Sequence, residues 1–216
     1  MSPGAKKVVL GVTGASGALY AGRLLRALLS AGHHVDLILS KYGRYLLVEE
    51  LGFQPEKESV LEFLVRLYGD QVTNGKLQEF GLSDLSCPLA SGSVGSDGMV
   101  VVPCSVKTLS SIASGSAANL LERAADVALK ERRRLILVVR ETPLNLIQLR
   151  NMVSVAEAGG ILLPAMPAFY QHPATFDDLG DFMAGRVLNL LGIDHDLFPA
   201  WSGPPQNKKD PRAPSE

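Results

Sequence analysis

What most restricts the fold of this chain is an alternation of short β-branched, apolar runs with stretches of helical apolar spacing, each pair joined by a turn. Residues 8–12, Val-Val-Leu-Gly-Val, lead through a glycine turn into a periodic stretch over 18–31 that Gly32 terminates. The pair repeats at 35–39 and 41–51, and 55–68 adds a further helical segment. Three more runs, 99–102, 135–139 and 161–163, carry the buried-strand signature, and helical sequence follows each. Runs that are apolar throughout need cover on both faces. The rhythm therefore predicts an α/β fold: a single-domain, doubly wound, mostly parallel sheet with helices on both sides.

With 216 residues, 46% of them hydrophobic, the chain can bury one core of this kind. The domain is expected to span 1–201, with 202–216 a disordered tail that has almost nothing to bury, and 86–98 a long surface loop. Twenty-one Lys and Arg against 22 Asp and Glu give no excess charge, so neither a nucleic-acid surface nor a membrane-seeking face is expected. Residues 1–7 lack the apolar segment of a signal peptide and no run reaches the roughly 20 apolar residues of a membrane span, which implies a cytoplasmic protein. Cys87 and Cys104 fall in no disulfide or zinc pattern and are read as free thiols, with no metal site.

In open α/β sheets, ligands gather beyond the carboxyl ends of the strands. Thr13-Gly14-Ala15-Ser16-Gly17 stands there after the first run. Its small residues either let backbone N–H groups approach an anion at a helix start or simply make a tight turn. It is not a Walker A loop. Tyr20 stands where a dehydrogenase would place its next glycine and the chain has no Tyr-x-x-x-Lys, so nicotinamide chemistry is disfavoured. Ser40 follows the second run, where it either caps the next helix or donates to a phosphate. Ser105, Val106, Lys107 and Thr108 put hydroxyls and backbone donors at a third helix start. Arg140 and Glu141 follow 135–139 without a break, and charges at the end of a buried run need partners. They form a structural ion pair, or Arg140 meets an anionic ligand and Glu141 moves protons beside it.

On the last long helix, 176–191, Thr175 and Asp178 have the spacing of a capping pair. Leu179, Met183, Val187 and Leu190 form its apolar arc; Arg186 falls inside that arc and is expected to meet an anion. Asp177-Asp178-Leu179-Gly180-Asp181 spells the DDxxD of magnesium-dependent prenyl diphosphate synthases. Those all-helical enzymes pair two such motifs, whereas this one is single and sits in a first turn, where aspartates favour the helix dipole anyway. On 119–132, Arg123 and Lys130 share a stripe away from Leu121, Ala124, Ala125 and Ala128, which is solvated unless a neighbouring subunit or ligand lies against it. His33 and His34 are read as surface residues closing the first helix.

Six segments, 12–17, 90–93, 102–108, 123–132, 140–144 and 163–170, together resemble the UbiX-type flavin prenyltransferases, in order and within a match from about residue 6 to 201. These belong to a superfamily of flavoproteins that includes homo-oligomeric FMN-containing cysteine decarboxylases. The resemblance implies a Rossmann- or flavodoxin-like fold. It also implies metal-independent transfer of a dimethylallyl group from dimethylallyl monophosphate to N5 and C6 of reduced FMN, with release of phosphate. The product, prenylated FMN, would serve UbiD-type decarboxylases of ubiquinone or aromatic acid metabolism. By the same resemblance, FMN is contacted by Gly14, Ala15, Ser16, Ser40, Ser105, Val106, Lys107, Thr108 and Arg140. The substrate phosphate is held by Lys130, Arg140, Tyr170, Arg186 and the partner subunit's Arg123. Glu141 manages protons, Lys130 assists, and Ser16 and Glu50 support the site. Family members form homo-oligomers, commonly dodecamers, with sites at subunit contacts. Leu85 stands where some members carry an aromatic side chain, and Trp201 matches a tail residue that either covers the pocket or anchors the C-terminus. Two rival readings share parts of this pattern. A decarboxylase of the cysteine type needs a histidine base, and none lies between His34 and His172. A non-catalytic FMN carrier would leave Glu141 and the off-core arginines without a task.

Overall fold

Each of the five β-branched runs is a strand in the computed structural model, which describes residues 4–199 and Gly203. Trp201 and, apart from Gly203, the tail expected from 202 onward lie outside the described residues. The strands are β1 (Lys7–Val12), β2 (His34–Leu39), β3 (Lys76–Phe80), β4 (Gly98–Cys104), β5 (Leu135–Val139) and β6 (Ile161–Leu162). Between and after them run α1 (Ala18–Ser30), α2 (Lys41–Leu51), α3 (Val60–Tyr68), α4 (Val106–Ala113), α5 (Leu120–Lys130), α6 (Leu146–Glu157) and α7 (Phe176–Leu191). The sheet order is β3-β2-β1-β4-β5-β6, and every neighbouring pair is parallel. This is the doubly wound α/β fold, with a wholly parallel sheet where a mostly parallel one was expected. The additional strand, β3, reads Lys-Leu-Gln-Glu-Phe; it lies at the sheet edge, contains no fully buried residue and so lacks the apolar run that marks the others.

Alternation along each strand divides the core in two. Val8, Leu10 and Val12 of β1, with Val35 and Leu37 of β2, pack under α1, α3 and α7. Val9 of β1 and Met99 and Val101 of β4 pack on the other face under α4 and α5. Gly11 lets α5 come close: a Cβ there would stand 2.9 Å from Leu121 Cδ1. The segment 86–98 is less of a free loop than its composition suggests, because Cys87 and Leu89 are buried against α5.

The DDxxD segment has a structural role. Asp177 and Asp181 both pair with Arg23 of α1, whose Nε donates to Asp181 Oδ1 at 2.6 Å and whose Nη1 donates to Asp177 Oδ2 at 3.0 Å. Asp178 completes the capping box with Thr175, accepting from Thr175 N at 2.8 Å. All three carboxylates are thus committed to the α1–α7 seam and the helix cap.

The histidines that follow α1 are less exposed than expected: one is buried and the other partly so. His33 is buried and accepts from Lys6 N at 3.2 Å. His34 Nε2 lies 3.0 Å from the fully buried Asp36, which also contacts Lys7 Nζ at 2.9 Å. The tight αβ turn accounts for this: Gly32 at φ +81° leads directly into His33, whose N–H donates to Leu28 O, and His34 opens β2 with its side chain 16% exposed. Burial holds both imidazoles below the ordinary histidine value, with Lys6 adding to the effect at His33; at His34 burial outweighs the opposing pull of Asp36. A histidine depressed in the folded state contributes stability that is present above its unfolded value, near 6.5, and is lost as pH falls through the folded value. Thermal unfolding should therefore show a melting temperature that drops as the solution is acidified below that value, with a shallower drop in His33→Gln.

Candidate functional site

Strand order reverses between β1 and β4, and a crevice opens there beyond the carboxyl ends of the strands. It holds a cavity of about 490 Å³, within the roughly 300–1,000 Å³ usual for small-ligand sites. The loops after β1, β2, β4 and β5 form its walls.

Those loops are bound to one another. The buried Thr13 hydroxyl donates to Pro103 O at 2.7 Å and accepts from Ser105 N at 2.8 Å, tying the end of β1 to the end of β4. Gly17, at φ +117°, turns the chain into α1 through a left-handed conformation and brings no side chain to cap that helix. Glu50 of α2 caps it instead, its Oε2 accepting from Gly17 N at 2.9 Å and Ala18 N at 2.7 Å. Arg140 Nε donates to Ser16 O at 2.9 Å, so the loop after β5 is pinned to the loop after β1. Thr13→Val keeps the shape and the Thr13 N–H bond to Pro103 O at 3.3 Å, but leaves the Ser105 N–H unpaired and removes the second bond to Pro103 O, at an expected cost of about 2 kcal/mol in chemical denaturation. The same variant should weaken flavin binding, read by fluorescence titration.

Donors converge on the cavity. Ser105 caps α4, its hydroxyl accepting from Thr108 N at 3.3 Å. Val106 and Lys107 are the first two residues of that helix, so their N–H groups have no intrahelical acceptor and the dipole favours an anion in front of them. Ser40 caps α2 by accepting from Gly43 N at 2.9 Å, which leaves its own proton free to be donated. Leu82 and Leu121 give the cavity apolar wall. Hydroxyl and backbone donors for a phosphate beside apolar wall for a planar ring are what an FMN molecule requires, and these residues fit it. Cys104 is not a nucleophile here: burial pushes its thiol up to about 12 and keeps it protonated.

All nine residues assigned to FMN in the sequence, together with Glu141, line this one cavity. Glu141 is exposed and accepts from Thr142 N at 3.0 Å; it does not pair with Arg140. The remaining assigned residues lie elsewhere on the same chain. Arg123 is half-buried and donates through Nε to Ala90 O at 3.0 Å and through Nη1 to Asp126, so it holds the 90–93 segment and is not merely solvated. Lys130 Nζ pairs with Glu131 next to Gly92. Tyr170 meets Phe182 edge to face at 6.2 Å. Arg186 is exposed, a correction to its placement in the apolar arc. The buried face of α7 centres on Gly180, Ala184, Val187 and Leu191, and at 100° per residue Arg186 falls with Leu179 and Leu190 on a flank that the chain itself only half covers.

Lys41, Tyr42, Asn119 and Glu122 also line the cavity and were not singled out in the sequence. Lys41 and Tyr42 follow Ser40 at a strand end, a position that could have flagged them. Glu122 sits beside the apolar stripe of α5 and reads as an ordinary first-turn acid. In the fold its carboxylate is buried, accepting from Ala118 N at 3.0 Å and lying 3.4 Å from Lys107 Nζ. Burial would raise its carboxyl, but the Ala118 N–H, Ser111, Lys107 and Asn119 outweigh that and hold it below the usual carboxylate range.

The family model described as Flavoprotein matches residues 2–187. The flavin prenyltransferase UbiX of Methanothermobacter thermautotrophicus is 47% identical over 198 residues, covering 92% of this chain and 96% of that protein. The chain belongs to the UbiX-type flavin prenyltransferase family. Solved structures of UbiX-type proteins agree. AnUbiX in complex with FMN and dimethylallyl pyrophosphate superposes with a TM-score of 0.81 at 39% identity, covering 92% of this chain and 98% of that one. A dodecameric FMN-dependent UbiX-like decarboxylase from Escherichia coli O157:H7 does so with a TM-score of 0.78 at 38% identity, covering 91% and 100%. Arg123, Lys130, Tyr170 and Arg186 all lie outside the cavity lining. Among the described residues, no helix is long and apolar enough to cross a membrane.

Proposed function

We propose that this chain transfers a dimethylallyl group from dimethylallyl monophosphate to reduced FMN, in the cytoplasm, within a flavin-binding unit spanning residues 1–201. The observation that carries the reading is the convergence of nine FMN-assigned residues from four strand ends on one cavity, in a chain 47% identical to a flavin prenyltransferase.

When bound, reduced FMN supplies N5 and C6 as the positions that accept the five-carbon group. The chain does the rest. Ser40, Ser105, Thr108 and the N–H groups of Val106 and Lys107 hold the flavin phosphate, while Gly14, Ala15 and Ser16 form the wall beside it. Lys130, Arg140, Tyr170, Arg186 and the partner subunit's Arg123 hold the phosphate of the donor. Breaking the allylic C–O bond puts growing negative charge on that phosphate, so fixed cations stabilise the transition state more than the ground state. Glu141 gives a proton to the departing phosphate oxygen and then takes one from the ring carbon. Ser16 and Glu50 keep the loop and the start of α1 in place.

The scattering of Arg123, Lys130, Tyr170 and Arg186 over one chain supports a site completed by neighbouring copies in a homo-oligomer, a dodecamer as in the E. coli relative. The exposed apolar side chains of Met166, Phe169 and Phe176, 71%, 71% and 80% accessible, suit such contacts. The product passes to a UbiD-type decarboxylase. The test is a coupled one: apo-decarboxylase supplied with the reaction mixture should gain activity only when protein, reduced FMN and donor are all present. Gain of activity with the donor omitted would favour an FMN carrier instead.

A further inference from the structure

Lys107 is the second residue of α4, where the helix dipole opposes a cation. It lines the flavin cavity, its backbone N–H has no intrahelical acceptor, and its side chain is 79% exposed. By contrast, the Glu122 side chain is 3% exposed, and its Oε2 accepts from Ala118 N at 3.0 Å and Ser116 Oγ at 3.3 Å, so the carboxylate is fixed to the loop before α5. The other oxygen, Oε1, lies 3.4 Å from Lys107 Nζ. Lys107 thus has two places to go, against Glu122 or onto an anion in front of α4. Resting on the flavin reading above, we propose that Glu122 is a positioning residue that keeps the Lys107 ammonium on the α5 side of the cavity, off the flavin phosphate. The flavin is then gripped only loosely enough to leave after reaction.

The chemistry asks for such a device. A flavin that is the product must be given up, unlike a resident cofactor, and each additional charge-assisted contact to its phosphate slows dissociation. The backbone donors of α4 and the hydroxyls of Ser40 and Thr108 already recognise the phosphate. A free lysine beside them would add affinity where release is needed.

Glu122→Gln retains an acceptor for the Ala118 N–H and frees Lys107. Fluorescence titration should then show an FMN Kd lower by about three- to ten-fold, with a slower FMN off-rate and steeper salt dependence. Binding of riboflavin, which has no phosphate, should be unchanged. The double variant Glu122→Gln/Lys107→Met keeps the Lys107 backbone N–H, leaves no lone buried charge, and should lose the tightening seen in Glu122→Gln alone. FMN affinity unchanged or weaker in Glu122→Gln would overturn the proposal. So would a double variant that loses ten-fold or more for FMN alone, because Lys107 would then already serve the phosphate. Equal weakening for FMN and riboflavin would make Glu122 a purely structural brace. Wild-type protein that binds neither flavin would sink the flavin reading itself, whereas wild type that binds FMN normally confines any failure to Glu122.

Discussion

Arg186→Ala and Lys130→Ala should each lower kcat/KM for dimethylallyl monophosphate by roughly thirty-fold or more, equivalent to about 2 kcal/mol of transition-state stabilisation. Neither side chain lines the cavity of its own chain, so FMN affinity should stay near the wild-type value while turnover falls. That split is the signature of a site built from two anion-binding parts. On the proposed reading, one part lies at the switch point of the sheet and would hold the flavin, while the other would be completed by neighbouring copies and hold the donor. Mixing Arg123→Ala and Glu141→Gln proteins, each inactive alone, and letting subunits exchange should restore part of the activity, since some mixed contacts unite an intact Arg123 with an intact Glu141. Full turnover in both alanine variants would remove Lys130 and Arg186 from the reaction.

Arg23→Met should destabilise the fold by about 3 kcal/mol, read as a shift of the denaturation midpoint at unchanged slope. The guanidinium is 10% exposed and joins Asp177 and Asp181 across the α1–α7 seam, with the Tyr68 ring beneath it at 5.6 Å. Removing the cation leaves Asp181, 17% exposed, with only Arg26 at 3.6 Å. Arg23→Met/Asp181→Leu should recover much of the loss, because an apolar pair replaces a half-broken ionic one. An Arg23→Met protein as stable as wild type would show that the DDxxD carboxylates are merely solvated.

The sheet was readable because four of its strands are buried on both faces and advertise themselves as apolar runs. β3 is an edge strand with polar side chains and makes no such signal. The cavity-lining residues were readable for a related reason. They follow strands directly, so one-dimensional position already places Ser40, Ser105 and Arg140 at the sheet edge. Residues that act through tertiary contact were less visible. Thr13 gave no sign that it would bridge two loops, nor Glu122 that its carboxylate would be buried beside Lys107. Arg186 was misplaced because the apolar arc of α7 was drawn through Leu179 and Leu190. Those two belong to a flank that one chain leaves half covered, with Leu190 at the margin of the core and Arg186 just outside it.

The central claim is covalent transfer to the flavin, and the mass of the flavin tests it most directly. The protein is incubated without oxygen with reduced FMN and dimethylallyl monophosphate, and the flavin is weighed by mass spectrometry. The account predicts a flavin heavier by one five-carbon unit, formed with release of one phosphate per transfer and absent in Glu141→Gln. FMN recovered at its original mass, with the donor intact, would contradict it.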